Sequence, residues 1–163
     1  MSDLVFPEES YAICGAVFDV YREIGCGFLE AVYQECLERE LISRRIPFEA
    51  PKLLRLYYKG ELIEKTYLAD FLCYGKIIIE IKAVETIAPI HQAQLLNYLK
   101  MSKLTLGLLI NFGAFPKAKL FELLTLFNFF QCETHKIFAK NTKISKELFF
   151  AILSCFLCRF LRF

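Results

Sequence analysis

At 163 residues, 56% hydrophobic and 23% charged, the chain has the material for one domain with a core of its own, and its composition excludes intrinsic disorder. A net charge of +2 excludes a field that is basic over the whole surface, so any nucleic-acid partner would have to be met by a local groove. Seven cysteines at scattered spacings, with no charged-then-apolar leader, point to reduced thiols in a cytoplasm rather than to a disulfide framework.

In chain order, Pro7 followed by Glu8 and Glu9 marks a helix start, and Tyr11, Cys14, Val17 with Phe18, and Tyr21 recur at helical spacing up to Gly25. Gly25-Cys26-Gly27 reads as a turn. From Phe28 a second helix is expected to about Ser43, its apolar positions being Leu29, Val32, Cys36, Leu37 and Leu41. After Pro51 three consecutive antiparallel strands are expected, Leu53 to Tyr58, Leu62 to Cys73 and Lys76 to Ala83, with Lys59-Gly60 and Tyr74-Gly75 as the turns. Pro89 opens a third helix to about Met101. Leu104 to Phe112 is almost wholly apolar, which fits a strand buried on both faces. The expected order is αα-βββ-α-β, an α/β fold with a mixed sheet, over residues 8–113.

Residues 114–163 read as a basic, Phe-rich extension. The first 111 residues carry 12 basic and 15 acidic groups and the last 52 carry 8 and 3, while 12 of the 17 phenylalanines fall in those 52. Leu148 to Cys158 is apolar all round and too short for a bilayer, which takes about 20 residues, so it reads as a helix packed on the core or on a second copy. Association with a membrane is not expected. Cys155 and Cys158 form the one Cys-x-x-Cys pair, and with only His91 and His135 as histidines a four-ligand zinc site is not expected there.

Three groups of residues bear on chemistry. Glu80 and Lys82 lie on one face of a strand otherwise made of isoleucine, where charges are costly unless they bind something or each other, and the Tyr74-Gly75 turn brings Asp70 beside them. Two carboxylates and a lysine suit a hard divalent cation and an attacking water; a structural ion pair is the alternative. His91, Gln94 and Tyr98 share one face of the third helix, either to contact a phosphate backbone or a metal-bound water, or simply to cover the edge of an amphipathic helix. Glu30 and Tyr33 stand in the first turns of the second helix, where the dipole favours a carboxylate and a packed tyrosine needs no further role.

Taken together and in this order, the residues resemble the GxxExxY proteins of the PD-(D/E)XK nuclease-like superfamily. Gly27, Glu30 and Tyr33 spell the naming motif; Asp70-Phe71, Glu80-Ile81-Lys82-Ala83, Gln94 with Tyr98, and Gly107 to Gly113 match its later elements. Tyr21 departs from the histidine common in relatives. The resemblance implies a restriction-endonuclease-like core, a mixed central sheet flanked by helices. It implies Glu30, Asp70 and Glu80 as metal carboxylates for Mg²⁺ or Mn²⁺, Lys82 as catalytic lysine, Gln94 and Tyr98 as helix-borne auxiliaries, and Tyr33 and His91 on the substrate side. The implied activity is hydrolysis of phosphodiester bonds in DNA, or less readily RNA, in repair or defence, with no small-molecule cofactor. A silent nucleic-acid-binding or protein-interaction module on the same fold is the alternative, although such a module has little reason to keep Asp70, Glu80 and Lys82 together.

Overall fold

Pro7 at the first position and Glu8 and Glu9 in the first turn start α1 (Pro7–Ile24), because proline has no N–H to leave unpaired there and the carboxylates face the positive end of the dipole. A computed structural model describes residues 5–125 and the backbone of 137–140. Helix α1 ends where Gly25 N–H donates to the Tyr21 carbonyl at 2.8 Å. Its buried face is Ile13, Ala16, Val17 and Val20, so the expected stripe is rotated: Tyr11 is 83% exposed and Phe18 faces solvent in part. The smaller aliphatic side chains pack closest to the sheet, and the aromatic rings are displaced to the rim.

Helix α2 (Glu30–Ser43) buries Tyr33, Leu37 and Leu41, an i, i+4, i+8 row, and leaves Leu29 and part of Val32 outside. Phe48–Glu49 (β1) is a short edge strand. The chain then forms a two-stranded ribbon from β2 (Lys52–Tyr58) and β3 (Glu61–Ala69), separate from the main sheet. The expected single strand from Leu62 to Cys73 is therefore two strands, divided at Asp70. Beyond the break, β4 (Phe71–Cys73) pairs antiparallel with β5 (Ile77–Lys82), with Phe71 opposite Ile79. The cause of the break lies in Asp70, whose carboxylate accepts the Ile81 N–H at 2.7 Å in place of a ladder carbonyl.

Helix α3 (Pro89–Ser102) then crosses back so that β6 (Leu106–Asn111) lies parallel to β5, Lys82 beside Asn111. The sheet continues past residue 113. Strand β7 (Lys119–Thr125) pairs antiparallel with β6 over six positions and β8 (Ile137–Lys140) with β7, giving the order β1-β4-β5-β6-β7-β8. Helices α1 and α2 cover one face over Ile77, Ile79, Ile81, Leu108 and Ile110; α3 and the ribbon cover the other over Ile78 and Leu109. The architecture is a mixed sheet between helices, as expected, with the Phe-rich stretch contributing β7 to it.

Cys14, Cys26, Cys36 and Cys73 are free thiols. The Cys155–Cys158 pair and the apolar run from Leu148 lie outside the described residues. Among the described residues no helix is long and apolar enough to cross a membrane.

Candidate functional site

Alternation along β5 sends Ile77, Ile79 and Ile81 to the α1–α2 layer and leaves Glu80 and Lys82 on the α3 side, at the C-terminal end of the strand. Asp70 stands directly before the last β4–β5 pair, Phe71 with Ile79, and its carboxylate on the Ile81 N–H brings it beside Glu80. Glu80 is 3% exposed. Its Oε1 accepts a hydrogen bond from Lys82 Nζ at 2.7 Å, while its Oε2 is buried and has no partner. Lys82 is itself largely covered, so this is an inside pair, closed on one oxygen and open on the other.

Glu30, the first residue of α2, comes from the opposite layer and reaches the end of β5, where its Oε1 accepts the Ala83 N–H at 3.2 Å. On α3, Gln94 Nε2 donates to Tyr98 Oη at 2.8 Å. The structure thus brings Asp70, Glu80, Lys82, Glu30, Tyr98 and, through Tyr98, Gln94 to one end of the sheet. Their charges act on one another. Burial raises the Glu80 carboxyl to about 7, the Asp70 charge adds to the rise, and the Lys82 ammonium opposes it without cancelling it. Burial likewise raises Asp70, against the Ile81 N–H and Lys82. For Lys82, burial favours loss of the proton, but the Glu80 bond and the charges of Glu80, Glu30 and Asp70 prevail and hold it above the ordinary lysine range. Tyr98 is raised by burial, against the Gln94 bond, and also senses Glu80 and Asp70.

Two residues expected on the substrate side stand elsewhere. Tyr33 is 0% exposed and stacks on Phe112, with ring centroids 4.5 Å apart and planes 7° from parallel. Its hydroxyl donates to the Gly25 carbonyl at 2.9 Å and accepts the Phe28 N–H at 3.2 Å, so both valences go to the turn. No substrate reaches it: the residue is a clasp that fixes Gly25 to Phe28 and hence the start of α2 and Glu30. Gly27 in that turn has φ 107°, a conformation open to glycine and strained for other residues. Replacing Tyr33 by phenylalanine should cost about 1–2 kcal/mol, read as a lowered melting temperature. His91 also serves the backbone. Its Nδ1 accepts the Ala88 N–H at 3.2 Å and caps the start of α3.

Asn111 was missed. Buried at the end of β6, its Oδ1 accepts the N–H groups of Val84 and Gly113 at 3.1 and 3.0 Å, and its Nδ2 donates to the Val84 carbonyl at 2.7 Å. It pins the chain directly after Lys82-Ala83. A Cβ on Gly113 would meet Val84 N at 2.5 Å, so only glycine allows that approach. The single hint in the sequence was a polar residue ending an apolar run. Tyr21 donates to the Ala114 carbonyl at 2.7 Å, tying α1 to the same corner.

The mixed sheet thus carries two carboxylates, Asp70 and Glu80, and a lysine, Lys82, at the C-terminal end of β5. Residues 7–123 match the family model of the PD-(D/E)XK nuclease superfamily, and the chain belongs to that superfamily. No curated protein matches the chain significantly, and no solved structure does.

Nuclease superfamily members of this kind use Mg²⁺ or Mn²⁺, and the residues here fit such an ion in one respect and fall short in another. Among the described residues no three His, Cys, Asp or Glu side chains form a ready cage, and Glu30 is engaged with Ala83 rather than drawn to the other two. Against that, Glu80 Oε2 is buried and has no hydrogen-bond partner, an oxygen of the kind that a hard cation binds. Magnesium is commonly held by one or two carboxylates, with waters and substrate phosphate completing its shell.

Proposed function

We propose that this chain is a divalent-metal-dependent nuclease of the GxxExxY group that hydrolyses phosphodiester bonds of DNA. The observation that carries the reading is the Glu80 carboxylate, which lies buried on the α3 face of the sheet with one oxygen on Lys82 and the other left open. A structural ion pair needs neither the burial nor the open oxygen, and an orphaned buried acceptor costs about 1–3 kcal/mol. Asp70 and Glu80 would hold the metal, with Glu30 at the rim. Bound there, a divalent cation supplies Lewis-acid stabilisation of the phosphoryl oxygens and a more acidic water.

The side chains do the rest. Lys82, held protonated by its acidic neighbours, is a cation and hydrogen-bond donor rather than a base, so it orients the attacking water and offsets the phosphate's charge. Tyr98, its hydroxyl kept protonated by burial and anchored by Gln94, donates to a non-bridging oxygen or to the water. Asn111 and Gly113 hold the backbone after Lys82 rigid, which keeps the ammonium aimed. These residues all lie within residues 8–113, and β7 pairs with β6 beside them.

Cleavage of single- and double-stranded DNA and RNA, with Mg²⁺, Mn²⁺ or EDTA, tests the proposal for the wild type beside Glu80→Ala. DNA should be cut with either ion, and not in EDTA or by Glu80→Ala. A wild type that cuts none of these substrates with either ion would favour the silent-module reading.

A further inference from the structure

A second feature lies outside the carboxylate cluster. Between the β2–β3 ribbon and α3 runs a cleft of about 500 Å³, to which the ribbon contributes Arg55, Tyr57 and Tyr67 and the helix Asn97, Lys100 and, at its C-terminal end, Lys103. No acidic residue lines it. Arg55, Lys100 and Lys103 form no ion pair among the described residues; neither do Arg45, Lys59, Lys65, Lys117 and Lys119, but those five do not line the cleft, whereas these three converge on it. In a chain of net charge +2 this is a concentration of unneutralised charge. The helix dipole accounts for two lysines at the end of α3. It does not account for Arg55, which faces them from the other wall.

The tyrosines indicate what the cations receive. Tyr57 is 59% exposed and Tyr67 41%, two aromatic rings left partly in water beside the charges. A duplex turns its bases onto one another and offers such rings nothing to stack on; a single strand presents both phosphates and base faces. The cleft also leads to the site. Tyr67 packs edge-on against Tyr98, ring centroids 6.3 Å apart, and β3 ends one residue before Asp70.

We infer that the cleft between the ribbon and α3 binds single-stranded nucleic acid, the phosphates on Arg55, Lys100 and Lys103 and a base on Tyr57, and delivers the strand to the Asp70–Glu80 end of the sheet. The delivery rests on the nuclease reading; the binding does not. Structure-selective recognition follows from it, since a duplex would have to open or carry a single-stranded flank to enter.

Fluorescence anisotropy of the full-length chain in EDTA, with labelled single-stranded DNA, single-stranded RNA and duplex DNA, reads binding without catalysis. The basic C-terminal residues are common to every variant and cancel in the comparison. Wild type should bind one or both single strands more tightly than duplex. Tyr57→Ala should lose about tenfold or more on single strands and little on duplex, while Tyr57→Phe retains the affinity. The double variant Lys100→Ala/Lys103→Ala should lower the salt slope for single strands by about 0.7 for each phosphate contact removed. Duplex preference in the wild type, or unchanged single-strand affinity in both Tyr57→Ala and the double lysine variant, overturns the inference. A chain that shows these binding losses but never cuts would refute the nuclease reading and leave the cleft assignment standing; one that cuts while its cleft variants bind normally does the reverse.

Discussion

Lys82→Ala should abolish cleavage, by about 10²–10⁴-fold, while Mn²⁺ affinity at pH 8 stays within about tenfold of wild type. Asp70→Ala and Glu80→Ala should lose both. The distinction rests on ligand chemistry, because carboxylate oxygens bind a hard cation and an ammonium cannot. Two opposed effects set the residual change for Lys82→Ala. Removing a positive charge from beside the site relieves its repulsion of the metal. It also raises the Glu80 carboxyl further, because the lysine was the charge that held it down, and the proton then competes with the metal. Calorimetric Mn²⁺ titration of the three variants beside the cleavage assay separates the roles. Normal cleavage by Lys82→Ala, or wild-type metal binding by Asp70→Ala, would show the roles to be misassigned.

The same carboxyl makes the metal-free protein sensitive to pH in an unusual direction. Glu80 moves from 4.5 to about 7 on folding, so the folded state prefers its protonated form. A raised acid of this kind contributes stability that is fully present below about pH 4.5 and is lost as pH rises through about 7. The displacement corresponds to about 3 kcal/mol, or about 6–12 °C in melting temperature for a chain of this size. Asp70, raised for the same main reason, acts in the same direction. A simple ion pair with a depressed carboxyl would do the opposite and stabilise the fold as pH rises. Other acids such as Glu9 are lowered, so the clean observable is the difference between wild type and Glu80→Gln in EDTA. Relative to Glu80→Gln, the wild type should lose stability between pH 4.5 and 7.5. Saturating Mg²⁺ should then stabilise the wild type more at pH 8 than at pH 5, since metal and proton compete for one oxygen. A difference that is flat, or that grows in favour of the wild type with pH, would contradict the proposed environment of Glu80.

How far the sequence could be read depends on the length scale of the signal. Glu80 and Lys82 were legible because strand alternation is a local rule, and an isoleucine background made two charges conspicuous. The Asp70 break was not, since Leu62 to Cys73 carries no glycine or proline; it arises from the aspartate side chain replacing a ladder carbonyl, a contact with residue 81. On α1 the period was right and Val17 and Tyr21 do face the core, but Tyr11 and Phe18 stand on the rim, because aromatic residues tolerate a rim that Ile13, Val17 and Val20 do not. Strand β7 was hidden by composition: Lys119 to Thr125 sits in a Phe-rich stretch whose bias masks its place in the sheet between β6 and β8. Tyr33 and Asn111 mark the limit of motif reading. A tyrosine three residues after a glutamate on a helix looks the same whether it faces substrate or clasps a turn, and only its contacts with Gly25, Phe28 and Phe112 decide it.

The central claim is that the open oxygen of Glu80 is a metal ligand. Anomalous scattering from crystals of the full-length protein soaked in Mn²⁺ at pH 8 tests it directly. The account predicts a peak between Asp70 and Glu80, within coordination distance of Glu80 Oε2 and on the far side of the carboxylate from Lys82. A peak elsewhere with that pocket empty, or Glu80 Oε2 satisfied by a protein donor in the metal-soaked crystal, would contradict it.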